Sequence, residues 1–563
     1  MTRIAIDPVT RIEGHLRIEV EVEGGTVRDA WSSGTMFRGL ELILRERDPR
    51  DAWVFAQRAC GVCTTVHALA SVRAVENALG ITVPPNARRV RNIMAAVQMV
   101  HDHVVHFYHL HALDWVDVVS ATTADPARAA ALARSTSDWP GTVEQFSSVR
   151  DRIKRFVDSG QLGPFANGYW GHPAYILPPE ANLLLVAHYL EALDWQRDVV
   201  RAHAILGGKN PHPQTYVVGG MALRMAPNAP TGLNTATVAQ LGEIAQRARA
   251  FVGGVLLPDV ELVARSYPEW AQLGRGLGNY LTYGDFPEGD GDDPRPYFPG
   301  GRVLNRDLSR VLPVDQAHVS EHVARSWYEG EAARHPFDGE TRPRYEGPPP
   351  PVESLAASNR YSWLKAPRYD DGAVEVGPLA RIAVSYASGH GDVVPAVDAL
   401  LGRLGVGRDA LFSTMGRIAA RAVETGLLTD RLVAWVADLA AAVAGDDLRV
   451  ADSTRWEPQT WPAEAKGWGS VEAPRGSLGH WIVIRDGRIA NYQLVVPTTW
   501  NGSPRDGAGR RGAWEEALVG TPVADLRRPV EVLRTLHSFD PCMACAVHVH
   551  DPSAGAGVEV DVI

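Results

Sequence analysis

Cysteine is the residue type that carries the most chemical information in this chain. The sequence holds only four cysteines, in two pairs of identical spacing, Cys60-Gly-Val-Cys63 and Cys542-Met-Ala-Cys545. A single pair of this kind is compatible with a thioredoxin-type redox site, a zinc knuckle or two buried apolar thiols. Two such pairs, with no other cysteine in the chain, indicate that the four thiols act together.

The separation of the two pairs along the chain favours an active site. Structural zinc sites with four cysteines usually have their pairs about 15–20 residues apart, whereas nearly the whole chain lies between Cys63 and Cys542. The fold must therefore bring the two ends of the chain together. Four converging thiolates form a strongly anionic site, which suits soft or borderline transition metals. A structural zinc site is the alternative.

The residues around the second pair predict the start of a helix. The Asp540-Pro541 dipeptide directly precedes Cys542 and matches a helix N-cap followed by proline at the first helical position. Cys542 and Cys545 would then lie in the first turns, where the helix dipole lowers the pKa of a thiol. A histidine also follows each pair, His67 and His548. Each is either a hydrogen-bond donor to a thiolate or an ordinary buried histidine.

Composition and charge exclude several classes of protein. The 563 residues are 45% hydrophobic and 22% charged, and the net charge is −10, so nothing points to nucleic acid as a partner. Four cysteines in this length exclude a disulfide scaffold. We expect no secretory signal and no membrane span, because the longest apolar run, residues 432–445, is too short and contains Asp438.

Hydrophobic periodicity predicts where the helices and strands lie. Long helical stretches are predicted at residues 91–119, 182–206, 235–267 and 393–445. Two β-hairpins are predicted at residues 15–31 and 480–496, with Gly24-Gly25 and Asp486-Gly487 at their turns. The acidic and proline-rich segments 284–302 and 336–352 are typical of surface loops.

These elements predict the fold class. It is mostly α-helical (α+β), a single large domain with a central bundle of long helices and small peripheral β-hairpins or sheets. The sequence shows no internal repeat and no linker that divides it into independent halves. The active site is expected to be buried between the N-terminal and C-terminal CxxC motifs, since both ends of the chain must contribute to it.

The two cysteine motifs belong to longer segments that resemble a known family. Residues 58–76, RACGVCTTVHALASVRAVE, and residues 538–550, SFDPCMACAVHVH, are similar to the two cysteine signatures of nickel–iron hydrogenase large subunits. The likeness is closest to the uptake-type, membrane-associated members. It extends in the right order over nearly the whole chain, through the segments RIEGHLRIE, GTMFRGLE, HDHVVHFYHLHALDW, GGKNPHP, EAPRGSLGHW and VVPTTWN.

The resemblance implies a bimetallic cofactor and its ligands. Cys60 and Cys542 would be terminal ligands of nickel, and Cys63 and Cys545 would bridge nickel and iron. The iron would also carry cyanide and carbon monoxide, which no sequence pattern reveals, so the cofactor implied is a Ni-Fe(CN)2(CO) centre. The activity implied is the reversible heterolytic cleavage of H2 into protons and electrons.

The resemblance also implies roles for side chains around the metals. Glu13 would accept the first proton from Cys542, although its position alone suggests a surface residue at a strand edge. Arg475 would lie over the open face of the metals. Pro474, Asp102 and Asp540 would surround Arg475, and Thr498 would donate to a cyanide. For Asp102, the alternative is a histidine-rich helix face or a separate zinc site, because residues 101–111 hold five histidines.

A second metal site follows from the same resemblance. A magnesium ion near the C-terminus would be held by the carboxylate of Glu41, the backbone carbonyl of Leu494 and the imidazole of His548. A carboxylate and a carbonyl suit this hard cation, whereas an imidazole is unusual for it. The chain departs from many relatives at Gln57, where they have glutamate, and this changes the charge just before Cys60.

The cysteine count predicts a partner subunit. With all four thiols used at one centre, none is left to hold an iron–sulfur relay, and no dinucleotide-binding motif follows a strand. Electrons must therefore leave through another polypeptide, and the family answer is an iron–sulfur small subunit. The chain would be made in the cytoplasm and associate with the membrane, or be exported, through that partner.

The last fifteen residues, 549–563, are predicted to be a maturation peptide. By resemblance, a dedicated endoprotease removes such a tail after nickel-insertion factors have loaded the metal, which leaves a catalytic domain of residues 1–548. A frayed terminus or an edge strand is the alternative for the tail. Two alternatives remain for the whole chain: a hydrogen-sensing regulatory subunit with the same metals, and a structural zinc protein.

Overall fold

The structure is a computed structural model that describes residues 1–166, 168–291, 294–346 and 354–546. The side chain of Cys545, the predicted ligand His548 and the predicted maturation peptide 549–563 lie outside the described residues. Among the helices described, none combines the length and the apolar character that a membrane crossing requires.

Helices make up most of the ordered elements, as predicted. The four predicted helical stretches correspond to long helices at Pro85–Val105, Pro179–Val199, Thr235–Phe251 with Leu257–Ser266, and Val393–Leu404 with Thr414–Ala444. In chain order the helices are α1 (Leu40–Ile43), α2 (Ala52–Ala56), α3 (Val66–Leu79), α4 (Pro85–Val105), α5 (Pro126–Thr136), α6 (Val143–Asp158), α7 (Pro179–Val199), α8 (Arg201–Gly207), α9 (Thr235–Phe251), α10 (Leu257–Ser266), α11 (Pro378–Ala387), α12 (Val393–Leu404), α13 (Thr414–Ala444), α14 (Pro497–Asn501), α15 (Ala513–Leu518), α16 (Val530–His537) and α17 (Met543–Ala546).

The long helices form the predicted central bundle. Helix α13 packs against α4, α9, α10 and α11, and α7 packs against α4 and α9. The Ser413 side chain caps α13 by accepting the Gly416 N–H at 2.9 Å. The predicted helix 91–119 is interrupted, since α4 ends at Val105 and a π-helix follows over His106–His111.

Fourteen short strands are described, in sheets of two or three. They are β1 (Thr2–Ile6), β2 (Leu16–Glu23), β3 (Thr26–Gly34), β4 (Tyr216–Val217), β5 (Gly220–Met221), β6 (Tyr280–Thr282), β7 (Asp285–Glu288), β8 (Arg295–Phe298), β9 (Gly301–Val303), β10 (Val319–His322), β11 (Ala366–Tyr369), β12 (Glu464–Ala473), β13 (Gly476–Arg485) and β14 (Arg488–Val495). Both predicted hairpins are confirmed as β2–β3 and β13–β14, and each gains a third antiparallel strand, β1 and β12 respectively.

Helix α3 and strand β12 position the first cysteine pair. Helix α3 begins just after Cys63 and lies directly on β12. The approach is so close that a Cβ at Gly467 or Gly469 would overlap a carbonyl oxygen of α3, so only glycine permits it. Sheet β12–β13–β14 thereby supports the N-terminal cysteine loop.

The N-terminal sheet holds the C-terminal segment in place. Val27 N–H donates to the Thr521 carbonyl at 2.9 Å, and Val523 N–H donates to the Gly25 carbonyl at 2.8 Å. A parallel bridge then joins Glu13 to Cys542. The two ends of the chain are therefore brought together, as the cysteine spacing predicted.

The prediction that segment 284–302 is a surface loop is wrong. It contains β7, β8 and the start of β9, and Phe286 and Phe298 are fully buried. Phe286 stacks on Trp435 of α13, with ring centroids 5.3 Å apart. The glycines and prolines of the segment suggested a loop, but its aromatic side chains bind it to the core. In the described part of the second segment, 336–346, Pro336 and Thr341 are also buried.

Candidate metal centre

Three thiols from opposite ends of the chain meet in a buried cluster. The Sγ atoms of Cys60, Cys63 and Cys542 lie within 4.8 Å of one another, and 3.4 Å separates Cys60 Sγ from Cys542 Sγ. The N–H groups of Val62 and Cys63 lie 3.2 and 3.4 Å from Cys60 Sγ, which favours its thiolate form. Converging sulfur donors of this kind fit nickel and iron. No other such cluster occurs among the described residues.

The prediction that Asp540 caps the helix of the second cysteine pair is wrong. Helix α17 begins at Met543, and Asp540 has a positive φ of 59°, whereas an N-cap residue is extended. The Asp540 carboxylate instead lies 3.0 Å from Arg475 Nη2. Glu13 takes over the capping from the other end of the chain. Its carbonyl accepts the Met543 N–H at 2.7 Å, and its Oε2 accepts the Ala544 N–H at 2.7 Å.

Glu13 lies at the metal centre and not at an exposed strand edge. The Cys542 thiol donates to Glu13 Oε2 at 3.5 Å. Burial raises the pKa of the Glu13 carboxyl, and the nearby Cys60 thiolate raises it further, while the Ala544 N–H opposes the shift. The arrangement gives the carboxyl a direct hydrogen-bonded contact with one cysteine of the cluster.

Arg475 is clamped between two carboxylates near the cysteines. It follows β12 at the turn into β13, with Nη1 3.1 Å from Asp102 Oδ2 and Nη2 3.0 Å from Asp540 Oδ1. Its Nε also donates to the Asp540 carbonyl at 3.1 Å. Although burial acts to lower the pKa of Arg475, the charges of Asp540, Cys542 and Asp102 hold it well above its usual range. The guanidinium is therefore permanently charged and fixed in orientation.

A second buried arginine beside Asp540 was not singled out from the sequence. Arg421 of α13 donates to the Ser538 carbonyl at 3.1 Å. Burial lowers the pKa of Arg421 to about 10, with the Asp540 charge opposing the shift. Nothing in the local sequence around Arg421 marks it, because it reaches the site through the packing of α13 against the C-terminal segment.

The histidine-rich run forms no separate metal site among the described residues. Each histidine has its own partner. His101 contacts the Asp102 carboxylate, His103 contacts Glu424, and His106, His109 and His111 lie against the carbonyls of His537, Tyr189 and Arg534. Helix α4 and the π-helix after it therefore use their histidines to bind neighbouring elements.

Thr498 contacts the main chain of Cys542, whereas Pro474 and His67 contact other residues. The Thr498 hydroxyl accepts the Cys542 N–H at 3.2 Å, which leaves its own proton available to a further acceptor. The Pro474 carbonyl accepts a hydrogen bond from Arg381 at 3.2 Å. His67 Nδ1 lies 3.1 Å from His480 Nε2, and burial lowers the pKa of His67 to about 4. The structure thus gives His67 a histidine partner and a neutral ring.

Two of the three residues predicted to hold magnesium lie together. Glu41 Oε1 accepts the Leu494 N–H at 3.0 Å, so the main-chain group that faces Glu41 is the amide and not the predicted carbonyl. Lys365 Nζ lies 3.1 Å from both Glu41 Oε2 and Glu321 Oε2. Burial raises the pKa of Glu321 to about 7. Two buried carboxylates against one ammonium fit a hard cation in charge, although the ammonium already satisfies both in part.

A buried clamp that the sequence analysis missed fixes the Glu13 loop. Asp114 is ion-paired with Arg11, and Asp114 Oδ2 lies 2.6 Å from His537 Nδ1. His537 Nε2 in turn donates to the Thr10 carbonyl at 3.0 Å. The clamp joins the segment just before Glu13 to the end of α16, five residues before Cys542. The motif around Arg11 was recognised, but its positive φ of 55° and its distant partner could not be read from spacing.

Comparisons with known proteins agree with this geometry. Residues 38–548 match the family model described as nickel-dependent hydrogenase, and residues 3–33 match a model described as HoxL-like. The chain is 50% identical to the uptake hydrogenase large subunit of Rhizobium leguminosarum bv. viciae and 47% identical to the hydrogenase-1 large chain of Escherichia coli strain K12. Each match covers 100% of this chain and 97% of the relative.

Solved structures show the same fold. The as-isolated, oxidised Ni-Fe-Se hydrogenase of D. vulgaris Hildenborough is 35% identical with a TM-score of 0.78, over 97% of this chain and 100% of that one. This agreement confirms the predicted single-domain fold class. Because the family match spans nearly the whole chain, it also argues against the alternative of a structural zinc protein. The chain belongs to the nickel-dependent hydrogenase family, as a large subunit of that family.

Proposed function

We propose that this chain is the catalytic large subunit of an enzyme that oxidises H2 in the cell and passes the electrons to a partner. The observation that carries the proposal is the meeting of Cys60, Cys63 and Cys542 in one buried cluster, with Glu13 in contact. Relatives named as uptake hydrogenase large subunits support the direction of the reaction. Reversible cleavage follows from the same site, because the Cys542 thiol and the Glu13 carboxyl can each take up or release a proton.

The cysteine pairs are proposed to hold a nickel–iron centre, with Cys60 and Cys542 as terminal ligands of nickel and Cys63 and Cys545 as bridges to iron. The iron is proposed to carry the cyanide and carbon monoxide ligands. Bound there, the centre supplies the heterolytic splitting of H2. The converging sulfur atoms support this assignment, since thiolates are the donors such metals prefer.

The residues of the chain are proposed to move the protons and to order the site. Glu13 takes a proton from the Cys542 thiol through their hydrogen bond and releases it away from the cluster. Asp102 and Asp540 hold Arg475 in place beside the metal centre. Pro474 shapes the turn that carries Arg475, and the Thr498 hydroxyl donates to an iron-bound cyanide. His67, as a neutral side chain, is proposed to donate to a cysteine sulfur.

Electron exit is proposed to need an iron–sulfur small subunit. The described residues offer one cluster of metal-binding side chains, and it is used by the catalytic centre. The partner is also proposed to provide the association with the membrane. A magnesium ion held by Glu41, Leu494 and His548 is proposed as a support for the C-terminal end, with Lys365 neutralising the remaining charge.

The proposed reaction is tested with the purified complex of both subunits. Under H2, we expect reduction of an artificial electron acceptor at a rate proportional to the nickel bound, and no reduction by complex from nickel-free cells. A trace rate with a full complement of nickel would favour the hydrogen-sensing alternative.

Removal of the C-terminal tail is a further proposal about maturation. The family match ends at residue 548, directly before the predicted maturation peptide 549–563. Cys542 and Cys545 lie only a few residues before that point, so a tail that stays outside would keep the end of the chain open while nickel-insertion factors act. An endoprotease would then cut after His548.

Mass spectrometry tests this proposal directly. Active protein is expected to end at His548, and protein made without nickel is expected to keep residues 549–563. Fully active enzyme that retains Ile563 would contradict the proposal and leave the tail as an ordinary terminal segment.

A further inference from the structure

The Gln98 side chain lies between the N-terminal cysteine loop and the carboxylate of Asp102. Gln98 is on α4 and is 1% exposed. Its amide nitrogen, Nε2, donates to the Val62 carbonyl at 2.9 Å and to Asp102 Oδ1 at 2.7 Å. One partner belongs to the N-terminal cysteine loop, and the other is a carboxylate that holds Arg475. A single NH2 group therefore connects the N-terminal cysteine loop to the Asp102–Arg475 pair.

The orientation of this amide is determined by its partners. The Val62 carbonyl and the Asp102 carboxylate both only accept hydrogen bonds, so only the NH2 end of Gln98 can face them. The amide oxygen, Oε1, is left buried without a partner among the described residues. A buried amide oxygen without a donor is costly, and such a cost is typical of functional positions.

The contacts of Asp102 show what the connection achieves. Its Oδ1 receives Gln98 and lies 3.1 Å from His101 Nδ1, while its Oδ2 receives Arg475 Nη1 at 3.1 Å. His101 is the neighbouring residue, so its contact leaves the position of Asp102 relative to the cysteines unspecified. Gln98, by contrast, links Asp102 to the main chain of the cysteine loop, because it also donates to the carbonyl of Val62, the residue just before Cys63.

We propose that Gln98 is a positioning residue that fixes Arg475 relative to the N-terminal cysteine pair. It acts through Asp102 and touches no reacting atom. The inference rests on the proposed function, since it gives the Gln98 link a role in the geometry around the bound metals. Without the link, the cysteine loop and the Arg475–Asp102 pair are free to shift independently, and a small misplacement at an active site costs a large factor in rate.

The main test replaces Gln98 with methionine in the intact two-subunit complex. Gln98→Met keeps the length of the side chain and loses both hydrogen bonds. We expect nickel to be retained, the infrared bands of the iron-bound cyanide and carbon monoxide to shift, and H2 oxidation to fall on the order of 10- to 100-fold.

The matched control is Asn92→Leu on the same helix. Asn92 is 4% exposed, and its Nδ2 donates to the Pro287 carbonyl at 2.9 Å, away from the cysteines. We expect a comparable loss of melting temperature, with unshifted infrared bands and turnover within about twofold of the unaltered complex. Bands and turnover of Gln98→Met that match those of this control would overturn the proposal.

A second variant, Gln98→Glu, covers the case in which Gln98→Met does not load nickel. When protonated, the introduced carboxyl can donate to one of the two partners, and when ionised it repels the Asp102 carboxylate. Its turnover relative to the unaltered complex is therefore expected to rise as the pH falls. A ratio that stays at unity across the pH range would overturn the inference about Gln98. The proposed function fails separately, if the unaltered complex carries no nickel.

Discussion

Glu13→Gln is expected to keep the metals and to stop proton transfer. Cys542 donates to the Glu13 carboxylate, and an amide of the same shape can neither take up nor release a proton at that place. We expect H2 oxidation to fall by about 10²–10⁴-fold, the range of a lost general base, with normal nickel content. The Ala544 N–H that Glu13 accepts can still be accepted by the amide oxygen, so the C-terminal helix should stay in place.

The control for this variant is Glu23→Gln, at the exposed end of β2 in the same N-terminal sheet. It makes the same chemical change without contact to the cysteines, and we expect unchanged turnover. Near-normal turnover in Glu13→Gln would show that protons leave by another route, and Glu13 would then be a capping residue of α17 alone.

Arg475→Lys is expected to cause the second large loss. The guanidinium spans Asp102 and Asp540 with two different nitrogens and uses its third for the Asp540 carbonyl. A lysine keeps the charge but cannot make this planar set of contacts. We expect H2 oxidation to fall about 10²–10³-fold, as for removal of one preorganised donor from an active site, while nickel remains bound.

Arg485→Lys on the same hairpin is the control. Arg485 pairs with Glu464 at 3.2 Å, and both side chains are about half exposed, so the change should have little effect. Equal activity of Arg475→Lys and Arg485→Lys would mean that charge alone matters at position 475. The planar set of guanidinium contacts would then have no role in catalysis.

Those parts of the fold that depend on local patterns were predicted from the sequence. The turns at Gly24-Gly25 and Asp486-Gly487 placed two hairpins, because these residues favour the turn conformations that hairpins need. The spacing of the cysteines required the chain ends to meet, and the sheet contacts of Val27 and Val523 show how they do so. The resemblance supplied the residue roles, which spacing alone left open.

The parts that failed depend on contacts between distant residues. The Asp540-Pro541 dipeptide has the form of a helix cap, but Arg475 draws the carboxylate away and Glu13 does the capping instead. Gln98 and Arg421 escaped notice because each is one of several polar residues on its helix. Only the packing of α4 and α13 distinguishes them by bringing them to the centre. The local sequence around a residue does not show which distant residues it contacts in the fold.

The central claim is that the cysteines at the two ends of this chain hold one nickel–iron centre. Metal analysis of the matured large subunit, combined with infrared spectroscopy, tests it most directly. The account predicts nickel and iron in equal amounts and absorption bands from iron-bound cyanide and carbon monoxide. A single zinc ion, with no nickel and no such bands, would contradict it.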